Sequence, residues 1–319
     1  MRHLILLLTS IISSHTLAIG GGEPVDWNDN VILTHGCTAT IVSGVYVITA
    51  AHCNKLSSYS TNNSGVVTDA YEYTNFHPEY IPTYTSKDVS ISKLKNSINH
   101  KYISLFSNLN KSELKYGDII TIDGLGGSNS LSRGTFIFDK ASDSLNYKYS
   151  IEANSTESYS VAGDSGSAWV HNGTISAIHV GGGSNVDGSY YVHGTDLHYA
   201  KDFILENING WNYPTIATIN GQSVIEVQSL HINGATVNAY TSGDAEIIEQ
   251  SCSGYVESFQ RCSYTIESSG SNGKLHLSNN EVVNINPVTN KSSSTDSGSI
   301  GWFLFFLFGI ALKRKGINK

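Results

Sequence analysis

Apolar residues run together at the two ends of the chain and alternate with polar ones through most of its middle. Residues 4–12 form a compact apolar run behind the basic start Met1-Arg2-His3, and Thr16-Leu17-Ala18 closes it with the residues a signal peptidase accepts. Residues 1–18 are therefore predicted to be a secretory signal peptide, with the mature chain starting at Ile19. Further on, Val47-Ile48-Thr49 and the alternating Val89-Ser90-Ile91-Ser92 read as strands. Leu197, Ala200, Ile204 and Ile208 recur at helical spacing, closing a first domain over residues 19–213. Beyond it come short alternating runs such as Val224-Ile225-Glu226-Val227, divided by the turn pairs Asn220-Gly221 and Asn233-Gly234. They predict a small all-β second domain over residues 214–289, a sandwich, with Trp211-Asn212-Tyr213-Pro214 as the hinge. Residues 290–299 are Ser-rich and aperiodic, as a linker would be, and residues 300–319 form a tail, apolar as far as Leu312. Lys313-Arg314-Lys315 follows that apolar segment as a stop-transfer flank would. Its helix would span only about 20 Å, short of a hydrocarbon core of about 30 Å. Transient membrane contact by a sorting signal fits this length better than a permanent anchor.

Composition narrows the class of protein. Hydrophobic residues make up 39% of the 319 and charged residues only 14%, which is a folded composition. A net charge of −8 gives no footprint for a phosphate backbone, so nucleic acid is not an expected partner. Four cysteines in an exported chain point to two disulfides with three possible connectivities, and proximity favours Cys37 with Cys53 and Cys252 with Cys262. Neither CxxC nor HExxH occurs, and neither a metal nor a cofactor is expected.

The chemistry is concentrated in two short segments. Val47-Ile48-Thr49-Ala50-Ala51-His52-Cys53 ends a strand on a histidine held by a cysteine, which suits a general base that must stay fixed. Ala162-Gly163-Asp164-Ser165-Gly166-Ser167 places a serine between glycines, where bare backbone can bring N–H groups to a developing oxyanion. Together these segments resemble the chymotrypsin/trypsin family, with its Thr-Ala-Ala-His-Cys and Gly-Asp-Ser-Gly, in the family's chain order. Ile122-Asp123-Gly124-Leu125-Gly126 is similar to the strand that opens the family's second barrel; Asn129 stands where a dinucleotide fingerprint would need glycine. The resemblance covers residues 19–209 and implies an all-β fold, a double β-barrel followed here by the small Ig-like β-sandwich.

It also implies roles and partners. Ser165 would attack the scissile carbonyl of a protein or peptide substrate, and His52 would take and return the proton. Asp88, placed before an alternating strand, would orient His52, with Asp69 as the competitor for that role. The N–H groups of Gly163 and Ser165 would form the oxyanion hole. Ile19-Gly20-Gly21-Gly22 resembles the family's Ile-Val-Gly-Gly, so cleavage after Ala18 would free the Ile19 amine to pair with Asp164. Gly20 departs from the usual bulky second residue. The tail resembles the GlyGly-CTERM tails of secreted bacterial proteins, with its glycine patch interrupted as Ser297-Gly298-Ser299-Ile300-Gly301. That resemblance implies export and tail-processing machinery as partners and a secreted or cell-surface location.

Specificity has two readings. Tyr159 stands where trypsins carry the aspartate that selects Lys or Arg. Ile178-His179-Val180-Gly181-Gly182 is similar to glutamyl endopeptidases, which would give His179 and Ser160 to an acidic side chain, with Gly181 in the pocket wall. Asp187 or Glu157 in the pocket would instead attract a basic one. The competing class is a catalytically silent binding or adhesion protein that works through an aromatic face at Tyr255, Phe259 and Tyr264. For an enzyme, deletion of residues 215–296 should leave peptide cleavage intact.

Overall fold

A computed structural model describes residues 18–53, 56–62, 64–82, 87–126, 128, 130–141 and 149–288. Apart from Ala18, the expectations for the signal peptide and the tail fall outside these residues, as does the linker. The first sheet runs Ser64–Thr68, Ser58–Thr61, Val31–Thr34, Cys37–Val42, Tyr46–Thr49, Ser90–Leu94 and Tyr71–Phe76, each strand bonded to the next. It curls around the side chains of Ile32, Ala39, Ile41, Val47, Ile48 and Ile91, all buried. Cys37 and Cys53 are joined across it as a disulfide.

The second sheet closes on itself. Ile119–Gly124 pairs with Ser132–Ala141, then Ser150–Ser155, Tyr190–Asp196, Thr174–Ser184 and Ala168–His171 follow, and the last pairs back with Ile119–Gly124. Burial alternates along the opening strand: Ile120 and Ile122 face inward while Ile119 is exposed, as a half-buried strand requires. Trp169, Phe136 and Ile19 fill the interior. Two barrels side by side are what the resemblance implies. The segment with helical spacing forms a 3-10 turn, Leu197–Ala200, and then the helix Lys201–Ile208. Asp196 caps the turn by accepting the N–H of His198 at 2.9 Å.

The last strands form two four-stranded sheets. One runs Trp211–Asn212, Gly221–Ser229, Arg261–Ser268, Glu246–Gln250; the other runs Ile216–Ala217, Val282–Ile285, Gly273–His276, Tyr240–Gly243. Ile225, Val227, Tyr264, Ile266, Leu275 and Val283 fill the space between them. The order of strands is that of an Ig-like sandwich. A second disulfide joins Cys252 and Cys262.

Two expectations change here. Trp211-Asn212-Tyr213-Pro214 is not a free hinge: Trp211 and Asn212 are buried and form the edge strand of the first sandwich sheet. The aromatic face does not form either, because Phe259 and Tyr264 are buried and only Tyr255 is exposed. Phe259 and Leu230 instead join the core that the first barrel shares with the helix. Gln228, with no exposed surface, accepts the N–H of Phe106 at 2.8 Å and donates to the carbonyls of Phe106 and Phe259 at 2.8 and 3.0 Å. Ser43 donates to the Trp211 carbonyl at 2.6 Å, and the Thr215 hydroxyl accepts the His100 N–H at 2.8 Å. Residues through Pro287 make one compact unit, so deleting residues 215–296 would strip part of the first core.

Gln228→Leu leaves the buried N–H and C=O of Phe106 without these partners, a loss of about 2 kcal/mol. Urea unfolding of the full chain is expected to show that loss as one shifted transition spanning barrels and sandwich together.

Candidate active site

The strand Tyr46–Thr49 runs into the 3-10 turn Ala51–Cys53, and the disulfide to Cys37 pins the end of that turn. His52 is thereby held at the rim, its side chain about one-third exposed at 34%. Asp88 is fully buried just before Ser90–Leu94, whose Ser90 lies opposite Thr49. Its Oδ2 stands 2.6 Å from His52 Nδ1, and its Oδ1 accepts the His52 backbone N–H at 2.8 Å. With Nδ1 bonded to a carboxylate, the proton rests there and Nε2 is the basic nitrogen. Asp69, the competitor, is exposed and ion-paired with Lys95 at 2.6 Å.

The serine sits on a turn clamped by Thr38. The Thr38 N–H donates to the Ser165 carbonyl at 3.0 Å, and its hydroxyl donates to the Gly163 carbonyl at 2.9 Å. That same hydroxyl accepts the N–H of Leu125 at 3.0 Å. Gly163 and Gly166 have φ of 102° and 85°, which a side chain would resist, and a Cβ on Gly166 would collide with Thr49. The Ser165 hydroxyl donates to the Val180 carbonyl at 3.4 Å. The amides of Asp164, Gly166 and Ser167 are bonded within the protein, whereas those of Gly163 and Ser165 meet no protein acceptor among the described residues. These two free donors flank the serine and can serve an oxyanion.

Beside the turn, His179 is fully buried. The Trp169 indole donates to its Nδ1 at 3.3 Å, so its proton is on Nε2, which lies 2.7 Å from Ser160 Oγ. The Ser160 hydroxyl hydrogen is then free for a ligand. Burial, and secondarily His193 and His52, push His179 down to about 3, so it is neutral at ordinary pH. Gly181 adds no side chain to the wall, and a Cβ there would meet His193 Nε2 at 3.5 Å. His193, also lowered mainly by burial, lies opposite Gly181 in the strand register and carried no signal in the sequence. Asp187 does not enter this pocket: it is exposed at a loop tip, held by the Ser189 N–H and hydroxyl at 3.0 and 2.7 Å. Glu157 is exposed as well. Tyr159 turns its ring onto Gly20 and Tyr190, not onto Ser160 and His179.

Ile19 and Asp164 are buried side by side, both against Gly124, but they are not ion-paired. With Ala18 still attached, the Ile19 nitrogen is an amide that donates to Ser132 Oγ at 2.6 Å. Asp164 accepts the N–H groups of Val161 and Gly126 at 2.8 and 3.0 Å. Burial nevertheless pushes its carboxyl up to about 7, those two bonds only partly opposing it. Among the described residues, the three cysteine and histidine groups close enough to hold a metal, Cys37, His52 and Cys53, include two disulfide sulfurs and do not suit one.

A protein-family model described as Trypsin matches residues 18–204, more than half of the chain. No curated protein matches.

Thr38→Val keeps the shape but removes the partner of Gly163 and Leu125, costing about 2 kcal/mol. A fall in Tm of roughly 5 °C is expected in thermal melting followed by circular dichroism. In the uncut Ser165→Ala chain, Asp164 binds its proton more tightly folded than unfolded. Stability should therefore fall as pH rises between the ordinary carboxylate range and about 7. Melting from pH 4 to 8 checks this, and Asp164→Asn should flatten that part of the profile.

Proposed function

Because this chain belongs to the trypsin family of serine proteases, we propose that it is an exported serine endopeptidase that cleaves after Glu or Asp through a Ser165-His52-Asp88 triad. The observation that carries the reading is the His52–Asp88 pair at 2.6 Å beside a serine turn with two unpartnered amides. In this mechanism His52 Nε2 removes the Ser165 proton as Oγ attacks the scissile carbonyl. The carbonyl oxygen becomes an oxyanion held by the Gly163 and Ser165 N–H groups, and Asp88 stabilises the imidazolium. His52 then protonates the leaving amine, an acyl-enzyme remains, and water attacks it with His52 again as base. The Ser165 hydroxyl bonds the Val180 carbonyl and not His52, and in this mechanism the His52–Ser165 bond forms when substrate orders the site.

The acidic preference is supported by the His179–Ser160 pair. The Ser160 O–H can donate to a carboxylate, because the neutral His179, its Nδ1 accepting the Trp169 indole N–H, turns its Nε2–H to Ser160 Oγ and leaves that hydroxyl hydrogen free. The surface positions of Asp187 and Glu157 speak against a basic side chain in the pocket. Export would follow from residues 1–18, with the Ile19 amine pairing with Asp164 after cleavage and the 300–319 tail serving sorting at the membrane.

Peptide-pool profiling tests the reading. Cleavage after Glu and Asp is expected with the purified chain and is expected to vanish in Ser165→Ala. His179→Leu should lower kcat/KM for a Glu peptide by roughly tenfold to a hundredfold relative to a matched Leu peptide. Serine-dependent cuts confined to Lys or Arg would overturn the specificity while leaving the triad standing.

A further inference from the structure

Gly20 is the position at which the chain departs from an Ile-Val-Gly-Gly start, and the structure places another side chain in that space. A Cβ on Gly20 would collide with the ring of Tyr159 at its Cζ. Gly20 is not in the left-handed region, so it is the ring and not the backbone that excludes a side chain there. The two residues also pair through their backbones, Gly20 N–H to Tyr159 C=O at 2.9 Å and Tyr159 N–H to Gly20 C=O at 2.8 Å. Tyr190 packs on the Tyr159 ring as well, with centroids 4.9 Å apart. Tyr159 thus touches the residue after Ile19 at one end of a short loop, Ser160 follows it directly, and Asp164 lies further along the same loop.

We propose that Tyr159 is a positioning residue: its ring supplies the packing that Gly20 lacks and locks the Ile19 segment against the loop that carries Ser160 and Asp164. The role rests on the protease reading above. Loss of the ring removes the packing at position 20 and leaves the inserted segment with its backbone pairing and the Ile19 side chain, so fewer molecules hold Ile19 beside Asp164 and fewer have a formed oxyanion site. A larger residue at position 20 does the same by collision. The two changes together restore the fit, because each fills or clears the space the other changes.

The test is a set of three variants of the exported enzyme, Tyr159→Ala, Gly20→Val and the double variant, assayed by acyl-enzyme burst and steady-state kinetics on a Glu ester. Each single change is expected to cut the burst titre about fivefold with KM unchanged in the remaining active fraction. The double variant should recover to within about twofold of the parent. A double variant no better than the single ones overturns the proposal, as does Tyr159→Ala with a lowered Tm but a full titre. Should the parent itself give no serine-dependent burst on Glu, Lys and Leu esters alike, the protease reading fails separately. The lock is then read from melting in the Ser165→Ala background, where recovery in the double variant supports it and additive losses overturn it.

Discussion

The proposed active site depends on one residue, Thr38, which bonds the serine turn, the strand that leads to His52 and the second barrel. It sits on Cys37–Val42 in the first barrel, one residue from the disulfide that fixes the turn of His52. Its backbone and hydroxyl together bond the carbonyls of Ser165 and Gly163 and the amide of Leu125, which belongs to the second barrel. Its own carbonyl accepts the Thr49 hydroxyl at 2.8 Å, on the strand that leads to His52. The proposed base from one barrel and nucleophile from the other can be held near each other only if some element belongs to both. Thr38 does, and its buried partners make each of those bonds costly to break.

Two buried groups near the serine share a second constraint. His179 and Asp164 are each kept from their charged form by the apolar interior around them. Each also has neutral hydrogen-bond partners: Trp169 and Ser160 for the histidine, the Val161 and Gly126 amides for the aspartate. Such an environment leaves Asp164 receptive to a cation, since pairing recovers what desolvation costs. In the proposed mechanism that cation is a free Ile19 amine, while the neutral His179 turns Ser160 toward a substrate carboxylate. The backbone joins the two sites, because the Gly166 N–H bonds the His179 carbonyl at 2.8 Å and the His179 N–H bonds that of Ser167 at 2.8 Å.

What could be read from the sequence was local. The segments around His52 and Ser165 are short because a strand end, a cysteine and a pair of glycines suffice to present each group. Asp88 was legible because it opens an alternating strand. The site's other determinants pair residues far apart, and no spacing encodes such pairs. Thr38 looks like any strand threonine, Gly20 like a weakened motif, and Tyr159 like a missing aspartate. Only in the fold do Gly20 and Tyr159 become two halves of one contact. Asp187 shows the converse: it is near the pocket strand in sequence, but it lies exposed on a loop where Ser189 satisfies its carboxylate.

The sandwich illustrates the limit most sharply. Alternation along Gly221–Ser229 tells which side chains turn inward, and Ile225 and Val227 do. It does not tell what covers the rest of the strand. At the C-terminal end of that strand Gln228 and Ser229 are buried as well, because there the strand leaves its own sandwich and runs against the protease barrels. A polar residue is tolerated at that seam only because Gln228 satisfies both polar groups of the Phe106 peptide and a carbonyl from its own domain. Leu230, one step past the strand, already belongs to the barrel core. The change of pattern near residue 214 therefore marks where the strand periodicity shifts, and the packing boundary runs through the sandwich itself.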